Sequence, residues 1–462
     1  MFAQAAQAYA SGDARGAVRL YKRGLAIDDG NPTALNNLGA AFLALGEYRE
    51  ASERFRQAIL LQPPVLDDFA AIVAVLTQVC PPVVEAAATA EEAWPRRLSE
   101  TELFGSSGVA AIADDPLTLC ILQTTTVRSI GFERLLTTLR QHLLNAAGAT
   151  DATAVTFDHQ AFWCALAQQC FINEYVFVVT SEEEGHLDAL TSRLTEATAQ
   201  GNNVPPIWLV AAACYAPLDR LSGTANLAGR KWPDVVRAVI RQQIEEPAQE
   251  RTNKSAIRKL TGIDDDISLR VQAQYEESPY PRWVLADPQL QAQAIDDHLR
   301  ATYPHAMFRP LGDREPLDIL VAGCGTGRHV LGLARTYRHP RILAVDLSAT
   351  SLAYAIRKTP DDLRGVIDYA QADILKLPDT GRAFDLIETR GVLHHMRDPF
   401  EGWRALLPLL KAGGIMNVGL YSELARQDIV AARNFIAEQG FSSTPDGIRR
   451  CRQAMLDHPQ FK

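Results

Sequence analysis

The 462-residue sequence has no apolar run long enough to cross a membrane as a helix. Its longest candidates, 69–84 and 205–218, contain prolines and fall short of the ~20 residues a spanning helix needs. The first fifteen residues hold no basic segment followed by an apolar one, so no secretory signal is expected. There is no CxxC. The seven cysteines (80, 120, 164, 170, 214, 324, 451) are odd in number and scattered. That argues against a disulfide framework or a structural zinc, predicts no bound metal, and fits a reducing cytoplasm. Positive charge is scarce too: the net charge is −9. Residues 300–462 carry 22 Lys and Arg against 18 Asp and Glu, and the rest carry 24 against 37. Nucleic-acid binding leans on dense positive charge, so the acidic first two-thirds argues against DNA or RNA as partner. What remains is ordinary globular composition, 47 % hydrophobic and 22 % charged. At roughly 100–200 residues per domain, the length predicts two to four domains.

An internal repeat opens the chain. Gly12 recurs as Gly46, Ala17 as Ala51, Tyr21 as Phe55, Gly24 as Ala58 and Ile27 as Leu61, always 34 residues on. Residues 32–63 read as two helices. Leu35, Leu38, Ala41 and Phe42 form one apolar stripe; Tyr48, Ala51, Phe55, Ala58 and Ile59 form the other. Gly39, Ala51 and Ala58 are small enough for the helices to approach closely. This pattern resembles the tetratricopeptide repeat, whose period is 34, over about one and three-quarter repeats. The resemblance implies a protein or peptide partner. About three repeats are usually needed for stability. Either helical text at 67–90 caps the repeats and docks them, or repeats have been lost upstream.

Residues 95–265 read as a mostly helical middle domain, with helical periodicity over 117–147, 161–179 and 233–246. No chemistry is legible there. His159, Cys164 and Cys170 are expected as core residues, and 245–266 as a linker or solvated turn region.

From Asp318 the text changes. LDILVAGCGTGRHVLGLART is an apolar strand, a glycine turn and a helix, and RILAVDLS adds a second strand ending in Asp346. This is the opening βαβ unit of a doubly wound sheet, whose ligands sit beyond the strand C-termini. The glycines are Gly323, Gly325 and Gly327, a GxGxG spacing. A dinucleotide site needs a glycine at 328, where this chain has Arg. Further on come a third strand with Asp373-Ile374, a fourth strand at 384–388, a helix, a glycine stop at Gly413-Gly414 and a fifth strand. These ordered elements resemble class I S-adenosylmethionine-dependent methyltransferases. The resemblance implies S-adenosyl-L-methionine as cofactor, with its methionine tail against Gly323, Gly325 and Gly327. It gives the ribose hydroxyls to Asp346, the adenine amino group to Asp373 and the adenine face to Ile374. The chain departs from the family after the fifth strand, where only helical text follows. An uncovered sheet edge there favours association, including with a second copy.

The expected architecture is multidomain, α plus α/β. Tetratricopeptide helices with a capping helix occupy 1–90, the helical middle domain 95–265 and a Rossmann-like methyltransferase domain 270–462, its sheet ending after the fifth strand. An aromatic segment, 271–283, precedes the sheet. Its Tyr275, Tyr280, Arg282 and Trp283 are read either as a lid over cofactor and acceptor or as a packed linker. Glu388, at a strand tip, and His394, beside His395, are the candidate catalytic groups, with Tyr421 a weaker one. The repeats favour a protein acceptor, lysine first. The combination is also similar to protein-lysine methyltransferases of rickettsial type. A small-molecule acceptor is the alternative, and so is a non-catalytic scaffold that keeps the cofactor fold.

Overall fold

The computed structural model describes residues 1–61, 80–151, 153, 157–285, 292–312, 314–422 and 424–461. The chain divides into two compact units, 1–245 with 441–462, and 246–440. Among the described residues no helix is long and apolar enough to cross a membrane.

In the first unit, helices Phe2–Ala10, Ala14–Leu25, Pro32–Ala44 and Tyr48–Leu61 follow the repeat. Asp13 and Asn31 cap the second and third, accepting hydrogen bonds from Gly16 N at 2.7 Å and Ala34 N at 2.9 Å. Gly12 and Gly46 take φ of +86° and +73° at the equivalent turns. A Cβ on Gly39 would stand 2.7 Å from the Phe55 ring, so the missing side chain sets the helix spacing. The short array is not left to stand alone. One apolar cluster runs from Ala5 in the first helix to Ile244. Arg56 Nε donates to Asp115 Oδ1 at 2.7 Å, tying the last repeat helix to the cap of helix Pro116–Thr124. Helix Pro81–Ala93 packs on Ile130–Ala149. The rest of the expected capping stretch, 67–79, lies outside the described residues.

The helix expected over 117–147 is two, Pro116–Thr124 and Ile130–Ala149. The threonine run at 124–126 disfavours helix through its β-branching. The buried Gln169 satisfies the opened backbone: Nε2 donates to Leu122 O at 3.1 Å and Thr125 O at 2.6 Å, while Oε1 accepts from Val127 N at 3.1 Å. Cys164 and Cys170 are buried, and burial pushes the Cys164 thiol up to about 12. His159 precedes helix Gln160–Ile172 at a φ of +53°. The fully buried Arg140 donates through Nη2 to Val178 O at 2.7 Å and lies 3.5 Å from Glu183 Oε1, which also accepts from Tyr215 Oη at 2.6 Å. Helix Pro445–Asp457 joins this unit, with Arg452 paired to Glu133 and Arg449 Nε donating to Tyr175 O at 3.1 Å.

The second unit is built on a six-stranded parallel sheet: β1 (Arg258–Lys259), β2 (Leu317–Ala322), β3 (Pro340–Asp346), β4 (Ile367–Gln371), β5 (Phe384–Arg390) and β6 (Leu410–Gly419), in the order β1-β4-β3-β2-β5-β6. The five strands read from the sequence are present. β1 is an addition, because the supposed linker is a helix, Glu246–Ala256, followed by that strand. Long-range partners hold it. Arg357 reaches Glu246 at 2.9 Å and Glu250 at 2.7 Å, and Leu260 N donates to Gln371 O at 2.8 Å. Gly413-Gly414 is not a stop before the last strand but an irregularity within β6, where the register against β5 shifts. The sheet has two apolar faces. Leu317, Ile319 and Val321 face helices Ile295–Thr302, Arg328–Thr336 and Ala349–Lys358; Leu320, Ala322 and Ile387 face the other way. Strand order reverses at β2, so a crevice opens beyond the C-terminal ends of β2 and β5.

Candidate functional site

The turn after β2 forms the floor of this crevice. Gly323, Gly325 and Gly327 all have positive φ, +83°, +51° and +85°. At Gly327 a Cβ would lie 2.7 Å from Ala355 Cβ, so neither the backbone conformation nor the space admits a side chain. Asp346, the last residue of β3, holds the turn: its Oδ2 accepts from Gly325 N at 2.8 Å and its Oδ1 from Ser348 N at 2.9 Å. Burial pushes its carboxyl pKa up, against the lowering effect of the Ser348, Gly325 and Leu347 amides. A carboxylate offers about four acceptor sites, so acceptor capacity remains for a ligand.

The turn, Asp346, Asp373 and Ile374 line one cavity of about 660 Å³. Asp373 caps a short 3₁₀ helix, Ile374–Thr380, with Oδ1 accepting from Leu375 N at 3.0 Å. Its backbone N donates to Thr261 Oγ1 at 2.8 Å. Oδ2 is buried and has no hydrogen-bond partner among the described residues. A buried acceptor left unpaired costs about 1–3 kcal/mol. Such an atom facing a cavity marks where a donor belongs.

The aromatic segment divides. Tyr275, on helix Asp266–Glu277, and Tyr280, 69 % exposed, line the cavity. Trp283 does not; it is buried, with Nε1 donating to Thr326 O at 2.9 Å and its carbonyl accepting from Tyr354 Oη at 2.5 Å. Thr326 Oγ1 donates in turn to Pro281 O at 2.7 Å. Both sequence readings therefore describe part of it: Trp283 anchors the segment to the glycine turn, and the two tyrosines reach the cavity. Arg282 is half-buried and outside the cavity wall.

Neither expected catalytic group lines the cavity. Glu388 is buried in a neighbouring cavity of about 630 Å³, whose walls share His329 and Arg390 with the first. Its carboxylate meets His329 Nε2 and Arg390 Nε at 3.3 Å each and accepts from Asn417 Nδ2 at 3.1 Å. His394 stacks on Tyr421, ring centres 3.6 Å apart, and both its nitrogens are buried without partners among the described residues. Burial, then the positive field of His395, Arg426 and Arg433, pushes its pKa down to about 4. The 3₁₀ helix Leu393–His395 turns His395 into the wall instead, 6.2 Å from the Tyr275 ring. Tyr421 lines the wall too. Sequence reasoning missed Arg390, Arg397, Arg426 and Arg433, which line the same cavity. The last two come from text after β6 that carries no motif. Arg328, on the exposed rim, begins its helix and leaves the turn open.

Residues 320–418 match the family model of a methyltransferase domain, and residues 8–76 that of a tetratricopeptide repeat. An uncharacterized protein of Synechococcus sp. is 33 % identical over 184 residues, 38 % of this chain and 43 % of that protein's length. The chain thus spans less than half of that relative. Among solved structures, the (4+2) cyclase SpnF is 25 % identical, covers 34 % of this chain and 61 % of its own, and has a TM-score of 0.25. The CurJ carbon methyltransferase is 14 % identical, covers 87 % of this chain and 83 % of its own, and also scores 0.25. The chain joins N-terminal tetratricopeptide helices to a Rossmann-like methyltransferase domain.

Proposed function

We propose that this chain is an S-adenosylmethionine-dependent methyltransferase whose cofactor lies in the cavity beyond β2 and β3. The observation that carries the reading is the pair of carboxylates on that cavity. Asp346 is a carboxylate beside the glycine turn, and Asp373 Oδ2 is a buried acceptor without a donor among the described residues. The residues fit the group. Asp346 suits a vicinal ribose diol, and Asp373 suits the amino group of adenine. Ile374, 5 % exposed, offers an apolar face to the base. The turn is bare enough for a zwitterionic amino-acid tail, and Tyr275 and Tyr280 offer ring faces to a sulfonium cation. When bound, the cofactor supplies an activated methyl group for direct displacement by an acceptor lone pair. The protein's part is then to orient the acceptor and exclude water.

His395 is the better-placed proton acceptor of the two histidines. Burial, and then Arg433 and Arg426, hold its pKa below the ordinary imidazole value. It is therefore neutral near pH 7 and able to take a proton. A protein acceptor, with lysine foremost, is supported by the tetratricopeptide helices as a recruiting surface. The cavity wall weighs against it: a lysine ammonium would approach Arg390, Arg397, Arg426 and Arg433, and like charges repel. The wall favours the small-molecule branch.

Calorimetry with S-adenosyl-L-methionine tests the reading. Binding at one site per chain is expected for the wild type, with none for Asp346→Ala. A wild-type chain that takes up no cofactor defeats the proposal.

A further inference from the structure

We infer that the acceptor is a small molecule bearing an oxyanion, a carboxylate or a phosphate, seated by Arg426 and Arg433 at the wall that carries His395 and Tyr421. The inference rests on the methyltransferase reading above and names the substrate class for that same cavity.

Arg426 and Arg433 line the cavity, and neither has a carboxylate partner among the described residues. Two of the wall's other charges, Arg390 and Asp265, are engaged. Arg390 Nε is 3.3 Å from Glu388 Oε2. Asp265 caps helix Asp266–Glu277, accepting from Ile267 N and Ser268 N at 2.9 Å each, and its pKa is lowered by those amides and by Arg397. Asp346 ends β3 and Asp373 follows β4, both at the end proposed for the cofactor. Glu401, on the cavity's rim, is exposed in the first turn of helix Pro399–Leu406. The histidines report the resulting field. After burial, the charges acting on His394 and His395 are all positive, with no carboxylate among them. Because both rings stay neutral near pH 7, they neither add to that field nor cancel it.

The guanidinium is also held in place. Arg426 lies over the Tyr421 ring at 3.7 Å, and His394 stacks on that ring at 3.6 Å. A planar fork fixed in this way is suited to two-point contact with an oxyanion. The size of the space argues for a small acceptor. About 660 Å³ must hold both cofactor and acceptor, within the range of ordinary small-ligand sites. A polyanion is disfavoured by the net charge of −9.

The full chain, given methyl-labelled S-adenosyl-L-methionine in a cell lysate, is the test. Label is expected in a small-molecule product that an anion exchanger retains at neutral pH. Phosphatase treatment releases the product from the exchanger if the oxyanion is a phosphate ester and leaves it bound if it is a carboxylate. The double variant R426Q/R433Q is expected to lose at least tenfold in labelled product while cofactor affinity by calorimetry stays within twofold. Label in protein, in nucleic acid or in a product that flows through the exchanger overturns the inference. So does unchanged product from the double variant, or no product from a chain that binds cofactor. A chain that binds no cofactor instead defeats the methyltransferase reading.

Discussion

Asp373→Ala separates stability from affinity. In the free protein this side chain makes one useful bond, Oδ1 to Leu375 N at 3.0 Å, and leaves Oδ2 buried and unpaired. Losing a cap costs about 1 kcal/mol. Removing an unpaired buried acceptor returns about 1–3 kcal/mol. Thermal stability of the free variant is therefore expected to be unchanged or slightly raised. Cofactor affinity is expected to fall, because a hydrogen bond to a charged group is worth about 1.5–3 kcal/mol. That corresponds to about 10- to 150-fold in Kd. Calorimetry with S-adenosylhomocysteine measures it. An analogue with a carbonyl in place of the adenine amino group supplies the cross-check: wild type should discriminate against it, and the variant should not. A variant that binds within threefold of wild type, or discriminates as wild type does, refutes the assignment of Oδ2 to the adenine amino group.

Three further outcomes are expected. Gly327→Ala places a Cβ 2.7 Å from Ala355 Cβ at a φ of +85°; left-handed strain of about 1–2 kcal/mol and overpacking of about 1–3 kcal/mol should add, lowering the melting temperature and abolishing cofactor binding. Glu183→Gln removes the buried anion facing Arg140, and chemical unfolding of the first unit should show a loss of about 3–5 kcal/mol. His394 has a folded pKa of about 4, below its ordinary 6.5. Its neutral form is the one the fold favours, so its contribution is complete above pH 6.5 and is lost as pH falls toward 4. Melting curves of His394→Phe, which keeps the stack on Tyr421, should show a flatter acid limb over that window. Superimposable pH profiles would contradict it.

What could be read in the sequence follows the range of the forces involved. The repeat helices, the five strands and the glycine turn are fixed by local periodicity, and a 34-residue offset or a GxGxG spacing carries them on its face. The helix Glu246–Ala256 was not legible, because its retention depends on Arg357, more than a hundred residues away. The break between Thr124 and Ser129 depends likewise on the amide of Gln169. The site divides along the same line. The half proposed for the cofactor, Gly323, Gly325, Gly327, Asp346, Asp373 and Ile374, comes from short strand-to-turn motifs, and the structure brings all six to one cavity. Its other half comes from side chains whose direction is set only after the chain has turned. LHH cannot say which histidine faces inward; the 3₁₀ turn at Leu393–His395 decides it, and it turns in His395. Glu388 is not the strand tip expected, because β5 runs on to Arg390. Strand alternation sends it, with Leu386 and Arg390, to the face of the sheet where His329 and Asn417 claim its oxygens. A carboxylate near a strand end is therefore ambiguous until its neighbours are known. Arg426 and Arg433 carry no motif, and their meaning lies in what they lack: a carboxylate among the described residues.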